Sequence, residues 1–262
     1  MHEAGLTIIL PAAGLGVRLG VDGPKELVEI DEGFPMIAFS LRHVLAGIAG
    51  KRFHLRVSVV IRKGKEAVVD YVRSVLPENV EVITVYFDPQ LKEWPGSIHS
   101  AKETFSEYNF VLLPDSFIGL SKENWLRNPE QQTLIELAAT GLEHARAVFG
   151  TVACRDCERL RHLGAVKQDE AGRITAFQDK PADPESYNAF WGCFAFRRGV
   201  ADALHEFLIA SVMHENPNYP GQPFYPARSF PLNDYADLGT WDSINAFQAK
   251  YSAEALGFTD FP

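Results

Sequence analysis

The stretch LTIILPAAGLGVRLGVDGPKELVEI, residues 6–30, decides the fold class. Residues 7–10 form a short apolar run, which is typical of a strand buried on both faces of a sheet. A loop of small residues and glycines follows at once, and such a loop lets backbone N–H groups closely approach a phosphate or a nucleotide. Arg18 and Lys25 add two positive charges. The stretch therefore predicts a loop that handles a triphosphate.

Other interpretations of this loop explain less of it. A plain strand-to-helix turn leaves Arg18 and Lys25 without a role. The spacing G-x-G-x-x-x-G at residues 14–20 suggests a dinucleotide fingerprint, but a lone glycine pattern is weak. Pro24 also lies where the first crossover helix of that fold should run. A P-loop is excluded because the chain contains no G-x-x-x-x-G-K-[ST].

The pattern G-x-G-x-R followed by P-K, residues 14–25, resembles the signature of the nucleotidyltransferases that join an NTP to a sugar 1-phosphate. The resemblance implies that Arg18 and Lys25 are catalytic and hold the triphosphate. It also implies that the backbone and small residues of this loop bind the nucleotide. These nucleotide-binding residues are Leu10, Ala12, Ala13, Gly14 and Gly16.

Composition is that of a globular protein without an unusual bias. A chain of 262 residues can form one large α/β domain or two small ones with a sizeable core. The net charge of −9 argues against a general nucleic-acid binder, which needs basic surface to meet phosphates. The sequence contains no run of about 18 apolar residues and no signal-peptide pattern, so we expect no membrane partner and a cytoplasmic location.

The cysteines do not predict a disulfide framework, since the chain has three of them. Cys154 and Cys157 form a C-x-x-C, but no second such pair occurs and the surrounding sequence is polar and charged. We therefore expect no zinc or redox role for this motif.

Apolar segments of strand and helix type alternate along the chain, which is typical of a parallel sheet with crossover helices. Strands are predicted at 7–10, 57–61, 80–87, 110–113 and 147–153, with a hairpin from 164–166 and 174–177. Helices are predicted at 35–48, 65–75, 98–105, 133–147 and 200–213, and another from residue 242. Residues 121–132 are predicted as a polar connection, and residues 214–230 as an irregular loop that reaches over the site or toward a partner.

The segment at residues 94–97 is predicted as a loop, with Ser97 as the N-cap of the helix after it. In the family a glycine-containing loop at this place reads the nucleobase, and the resemblance extends that role to Gly96 and Ser97. The alternative is that these two residues form only a loop and a cap.

Two aspartates are candidate Mg²⁺ ligands. Asp115 follows a predicted central strand, at the end where ligands bind in open α/β sheets. Asp237 opens a D-x-G-T motif, whose aspartate is the second metal ligand in the family; the alternative is that it caps the last helix. Mg²⁺ is usually held by one or two carboxylates together with substrate phosphates. Pro114 stands where the family has a glycine, but the carboxylate is kept.

Residues 163–196 resemble three further family segments. Gly164 matches a Tyr-Gly-Val-Val strand, residues 179–181 match a Glu-Lys-Pro motif with Asp in place of Glu, and Gly192 lies in an Ala-Gly-aromatic strand. The resemblance implies that Lys180 is catalytic and meets the sugar phosphate. The implied sugar-phosphate-binding residues are Gly164, Asp179, Lys180 and Gly192.

The resemblance implies an α/β fold: a single Rossmann-like nucleotide-diphosphosugar transferase domain over residues 1–262, with a mixed, mostly parallel sheet flanked by helices. A nucleotide-binding half, 1–120, and a sugar-phosphate-binding half, 121–262, are expected. The implied reaction is Mg²⁺-dependent in-line attack of a sugar 1-phosphate on the α-phosphate of an NTP, with release of pyrophosphate. The expected partners are these two small molecules, and the aromatic loop at 219–230 is a candidate surface for homo-oligomer formation.

Two other functions stay open at this point. The short spacing between Arg18 and Pro24 resembles the cytidylyltransferases that act on polyol phosphates, although their His-Asp-x-x-Arg-Pro run is missing here and they lack the D-x-G-T ending. The second open function is that of a non-catalytic module that binds a sugar nucleotide. The chain keeps four charged residues of the family motifs, namely Arg18, Lys25, Asp115 and Asp237, which favours an enzyme.

Overall fold

The computed structural model describes residues 5–49, 53–215, 218–251 and 256, so both ends of the predicted domain, 1–4 and 257–262, lie outside the described residues. The strands are β1 (Gly5–Pro11), β2 (Glu29–Asp31), β3 (Phe34–Pro35), β4 (His54–Ile61), β5 (Glu81–Tyr86), β6 (Tyr108–Val111), β7 (Ser116–Gly119), β8 (Ala147–Ala153), β9 (Gly164–Gln168), β10 (Ile174–Asp179), β11 (Ala189–Arg197), β12 (Arg228–Pro231) and β13 (Asp234–Asp237). The α-helices are α1 (Ala38–Ala49), α2 (Glu66–Val75), α3 (Glu93–His99), α4 (Leu134–His144), α5 (Cys157–Leu160), α6 (Ala201–Val212) and α7 (Trp241–Lys250). None of the helices in these ranges is long and apolar enough to cross a membrane.

The central sheet is built around β1. This strand pairs in parallel with β4 on one side and with β6 on the other, and β5 continues the parallel set beyond β4. The long strand β11 runs antiparallel to β6, β8 and β9, and so joins the second half of the chain to the first. β10 extends the sheet from β9, and β12 pairs in parallel with β8. The predicted mixed, mostly parallel sheet flanked by helices is confirmed.

Alternate residues of β1 face opposite layers of helices, because successive side chains of a strand point to opposite faces. Ile8 packs in a core that contains residues of α1, α2 and α4. Ile9 packs in a second core with residues of α3 and α6. Both side chains are fully buried, as expected for a strand covered on both faces. β1 ends at Pro11, and the glycine loop begins directly after it.

A third core lies beyond the main sheet and contains a cluster of aromatic rings. Phe39 of α1 contacts the rings of Phe117, Trp125 and Phe247 with centroid separations of 5.4, 5.9 and 5.3 Å. These residues tie α1 to β7 and α7. β7 in turn pairs antiparallel with β13, in a register that places Asp237 opposite Ser116. The aromatic core thus supports the small β7–β13 sheet that carries Asp237.

The predicted loop at residues 94–97 is wrong. These residues lie inside α3, and the residue before the first turn is Lys92, so Ser97 is not an N-cap. Pro95 is compatible with a helix here because it occupies the first turn, where its missing N–H has no intrahelical acceptor. Of the helix predicted at 98–105, only the end of α3 and a 3₁₀ turn at Lys102–Thr104 are present.

The described part of the segment 214–230 is irregular up to β12, apart from a 3₁₀ turn at Tyr219–Gly221, but it does not line the cleft over the site. Tyr219 and Phe224 are buried against Phe207 of α6, and the Tyr219 hydroxyl donates to the Ile174 carbonyl at 3.1 Å. The segment ends in β12, which the sequence did not predict. Most of its aromatic side chains therefore belong to the core, and its role in homo-oligomer formation stays a prediction.

The aromatic core yields a stability prediction. Phe39→Ala removes a fully buried ring from the junction of α1, β7 and α7, and we expect it to lower the free energy of unfolding by about 3–5 kcal/mol. Equilibrium urea denaturation measures this change. Leu15→Ala is the control, since Leu15 is exposed and should change the unfolding free energy by less than about 0.5 kcal/mol. Similar losses in both variants would contradict the assignment of Phe39 to a tightly packed core.

Candidate functional site

A cleft of about 500 Å³ lies at the carboxyl ends of the parallel strands. Residues that directly follow three parallel strands line this cleft: the glycine loop after β1, Arg62 after β4 and Phe87 after β5. Asp115, four residues beyond the end of β6, also lines the cleft. The other walls come from α3 and from the ends of β10 and β13. Side chains far apart in the sequence meet here because parallel strands end at the same edge of the sheet.

The cleft brings together ten of the predicted site residues. They are Ala13, Gly14, Arg18, Lys25, Ser97, Asp115, Gly164, Asp179, Lys180 and Asp237. Both halves of the predicted site therefore face one cavity, and both predicted metal ligands lie in it.

The other five predicted residues do not line the cleft. The side chains of Leu10 and Ala12 are fully buried in the main core. Gly16 has a φ of +68° beside Lys25, a backbone conformation that favours glycine. Gly96 packs against Leu91, and a Cβ at Gly192 would lie 2.7 Å from the ring of Tyr235, so both glycines admit a neighbouring side chain. The assigned roles of these five residues in binding stay predictions.

The glycine loop is held by a lysine that the sequence analysis missed. The Nζ of Lys65 donates to the carbonyls of Ala12 and Gly14 at 2.6 and 2.9 Å. Arg62 adds a bond from its Nε to the Ala13 carbonyl at 2.8 Å. Three successive carbonyls are thus engaged by cations. Within the described residues, the N–H groups of the loop at 14–16 have no acceptor, which leaves them available to an anion.

Lys65 also pairs with Glu26, which follows Lys25 directly in the sequence. Its Nζ lies 2.6 and 2.8 Å from the two carboxylate oxygens of Glu26, whose side chain is fully buried. Burial raises the pKa of the Glu26 carboxyl, and burial lowers the pKa of Lys65, because each charged form loses hydration. Since the chain around Glu26 carries Lys25, this ion pair links the glycine loop to the predicted catalytic lysine.

The two predicted metal ligands are tied to each other and to the predicted cations. The Nζ of Lys25 forms an ion pair with Oδ2 of Asp115. The N–H of Leu238 donates to the Asp115 carbonyl at 2.9 Å, next to Asp237. Asp237 Oδ1 accepts the Gly239 N–H at 2.8 Å. The carboxylate of Asp237 therefore shapes the turn before α7, whereas the N-cap of that helix is Thr240.

Arg18 approaches the same turn from the glycine loop. A Cβ placed on Gly239 would lie 2.9 Å from Nη2 of Arg18 and 2.8 Å from Oδ1 of Asp237. The missing side chain of Gly239 therefore leaves room for the Arg18 guanidinium and the Asp237 carboxylate. Within the part of the chain described, Arg18 makes no ion pair of its own, so its charge is available to a ligand.

The opposite wall is formed by β9, β10 and β11. Gly164 makes room for the indole of Trp191, since a Cβ at Gly164 would lie 1.8 Å from the indole Nε1. Gly164 is also the cross-strand neighbour of Asp179, and Lys180 follows with its N–H bonded to the Leu163 carbonyl at 3.0 Å. What the structure shows at Gly164 is contact with Trp191, and its predicted contact with a sugar stays a prediction.

The nucleotidyl transferase family matches residues 6–254, nearly the whole chain. The chain belongs to the nucleotidyl transferase family. No curated protein matches it. The match covers both walls of the cleft, from the glycine loop to α7.

Solved structures share the fold of this nucleotidyl transferase. One is described as a glucose-1-phosphate thymidylyltransferase from Bacillus anthracis in complex with sucrose; it is 16% identical, the match covers 94% of this chain and 95% of that one, and the TM-score is 0.68. UDP-glucose pyrophosphorylase from Acinetobacter baumannii is 16% identical over 98% and 97% of the two chains, with a TM-score of 0.69. The inositol-1-phosphate CTP transferase from T. maritima is 18% identical over 97% and 96%, with a TM-score of 0.64.

The buried ion pair of this nucleotidyl transferase yields a pH-dependent prediction. Lys65→Met leaves the Glu26 carboxylate buried without its partner, and we expect a loss of about 3–5 kcal/mol in the free energy of unfolding near neutral pH. The pKa of Glu26, already raised by burial, rises further without Lys65. The folded variant then binds a proton more strongly than the unfolded chain, so its stability increases as the pH falls.

Urea denaturation at about pH 8 and about pH 5 measures this effect, and the deficit relative to the unmodified protein should be smaller at the lower pH. Lys63→Met is the matched control, because Lys63 is exposed two residues earlier. A deficit that does not change with pH would show that the Glu26 charge is not its cause.

Proposed function

We propose that this nucleotidyl transferase joins an NTP to a sugar 1-phosphate and releases pyrophosphate. The observation that carries the proposal is the charge pattern of one cleft, which is lined by Arg18, Lys25 and Lys180 together with Asp115 and Asp237. Cations on both walls suit a reaction in which two phosphates must approach each other. Neutralisation of the charge that develops in phosphoryl transfer is the main task of such a protein.

Each half of the chain supplies cations for one substrate under this proposal. Arg18 and Lys25 hold the triphosphate together with the N–H groups of the glycine loop. Lys180 holds the phosphate of the acceptor. An oxygen of the acceptor phosphate forms a bond to the α-phosphorus, and the bond between that phosphorus and the oxygen that bridges it to the β-phosphate breaks. The protein contributes positioning and charge and supplies no nucleophile of its own.

Asp115 and Asp237 are suited to hold Mg²⁺. Among the described residues, Asp115 Oδ1 and Asp237 Oδ2 have no hydrogen-bond or ion-pair partner, so each aspartate keeps one free carboxylate oxygen. No cluster of three or more His, Cys, Asp or Glu side chains is present in the described part of the chain. Two carboxylates fit an ion whose other ligands are substrate phosphates and water. When bound, Mg²⁺ would neutralise negative charge on the reacting phosphates.

A second acceptor class has its own support. The short segment between Arg18 and Pro24 resembles cytidylyltransferases, and a solved structure with this fold is the inositol-1-phosphate CTP transferase from T. maritima. A polyol phosphate is therefore the alternative acceptor. A module without catalysis has less support, since such a protein would not need all of the charged residues that line the cleft.

The proposal predicts Mg²⁺-dependent release of pyrophosphate. We expect turnover when each NTP, including dTTP, is combined in turn with a panel of sugar 1-phosphates, inositol 1-phosphate and methylerythritol phosphate. A coupled assay for pyrophosphate measures the rate, and excess chelator should abolish it until Mg²⁺ is restored. Activity with CTP and a polyol phosphate alone would give the function to the alternative. Binding of an NTP without turnover on any acceptor would favour the non-catalytic module.

Lys25 provides a second test of the same proposal. Lys25→Ala removes the ammonium that lies against Asp115, and we expect kcat to fall by about 100-fold or more because charge stabilisation in the cleft is lost. The melting temperature should stay within a few degrees of that of the unmodified protein. Lys63→Ala, an exposed position, is the control. Near-normal turnover in Lys25→Ala would contradict the assignment of the cleft as the catalytic site.

A further inference from the structure

Asp179 is a buried carboxylate at the end of β10. The residue is 7% exposed and lines the cleft. Its backbone N–H is bonded to Ser211 Oγ at 2.9 Å, but within the described residues its carboxylate accepts no hydrogen bond and joins no ion pair. Burial raises the pKa of Asp179, while the charges of Lys180 and His214 lower it. A buried anion of this kind is poorly compensated by the protein itself.

A second carboxylate adds to the negative potential at this place. Glu93, the first residue of α3, also lines the cleft and is close enough to Asp179 to raise its pKa. The Glu93 side chain likewise has no partner among the described residues. Lys180 follows Asp179 directly in the sequence, and under the proposed function it is occupied by the acceptor phosphate. His214 is then the remaining basic group that acts on Asp179.

Two indole rings stand beside these carboxylates. Trp191 is 8% exposed and lies on Gly164, which is the cross-strand neighbour of Asp179. Trp94, next to Glu93, packs on Trp191 with ring centroids 5.2 Å apart and an angle of 46° between the planes. Tryptophan faces attract cations through the ring quadrupole, most strongly where water is excluded. Both rings line the same cleft.

The same wall could also bind a neutral hydroxylated ring, because tryptophans pack on apolar faces and a carboxylate accepts a hydroxyl. One hydroxyl, however, compensates one carboxylate only in part, since it brings no charge. Two carboxylates and two indoles together favour a positive group, which each of the four attracts.

We propose that the acceptor of this enzyme carries an ammonium group, which binds between Trp94, Trp191 and the carboxylates of Asp179 and Glu93. The inference deepens the proposed function and rests on it, since it names the chemical class of the phosphorylated acceptor in the same cleft. Two sources have this chemistry, namely an amino sugar 1-phosphate and the phosphate ester of an amino alcohol. The indole N–H of Trp191 is buried against Gly164 and has no acceptor among the described residues.

Two matched pairs of probes test the inference. Glucosamine 1-phosphate differs from glucose 1-phosphate by an ammonium in place of a hydroxyl. Phosphocholine differs from 3,3-dimethylbutyl phosphate by a positive nitrogen in place of carbon. We expect kcat/KM for pyrophosphate release to be at least about tenfold higher for the charged member of one pair, and calorimetric binding with a non-hydrolysable NTP analogue to show the same preference. The pair that shows it identifies the source.

Asp179→Asn removes the charge and keeps the shape. It should reduce the preference for the charged probe to about threefold or less, with the affinity for the NTP unchanged. Asp183→Asn is the matched control, because Asp183 is exposed four residues further on and does not line the cleft. Should Asp179→Asn not fold, the two probe pairs on the unmodified protein decide the question alone.

The outcomes separate this inference from the proposed function. Turnover with equal or better use of the neutral member in both pairs overturns the inference and leaves nucleotidyl transfer standing. Absence of turnover with any probe or panel acceptor overturns the proposed function. In that case the binding measurement still decides the inference, and equal or undetectable binding of the members of both pairs overturns it as well.

Discussion

The cleft depends on one ammonium group that holds the loop after β1. Glycines give this loop freedom to approach a ligand, but the same freedom would leave it without a fixed shape. Lys65 removes that freedom, since its Nζ binds two loop carbonyls and the carboxylate of Glu26 at once. Arg62 engages a third carbonyl. Because the loop carbonyls are bonded to cations, the loop N–H groups remain available to an anion. Lys25 is held in place because it directly precedes Glu26, the buried partner of Lys65.

The two aspartates are brought together by strand pairing. β13 and β7 form a separate two-stranded sheet in which Asp237 lies opposite Ser116, the residue after Asp115. The aromatic core around Phe39 supports this sheet from behind, and the Ser116 hydroxyl is hydrogen-bonded to that of Tyr235 at 3.0 Å. Slippage of the register by one residue would turn the Asp237 side chain to the other face. The relative position of Asp115 and Asp237 in the cleft therefore depends on the packing of the aromatic core behind the β7–β13 sheet.

Sequence patterns predicted the main strands, most of the helices and the family, because these depend on local periodicity and on short motifs. They failed where tertiary contacts decide. Proline and glycine at 95–96 suggested a loop, yet both fit the first turn of α3, where Pro95 needs no N–H acceptor and Gly96 admits Leu91. β7 and β13 have four residues each and, within the described residues, pair with each other outside the main sheet, so neither shows the pattern of a central strand.

Lys65 and Trp191 were missed for a related reason, since neither lies in a motif. Lys65 has the pattern of a solvated helix start, and only the fold brings its ammonium to the glycine loop. Trp191 has the pattern of a buried strand residue, and only the missing side chain of Gly164 lets its indole reach the cleft. In that cleft Arg18 and Lys25 lie on the side of the glycine loop, and the carboxylates of Asp179 and Glu93, which have no ion-pair partner among the described residues, lie on the side of Trp94 and Trp191. A ligand that is negative at one end and positive at the other can satisfy both regions in one orientation only. That orientation turns its phosphate toward the cations that would hold the triphosphate, so recognition of the positive end would also position the reacting end.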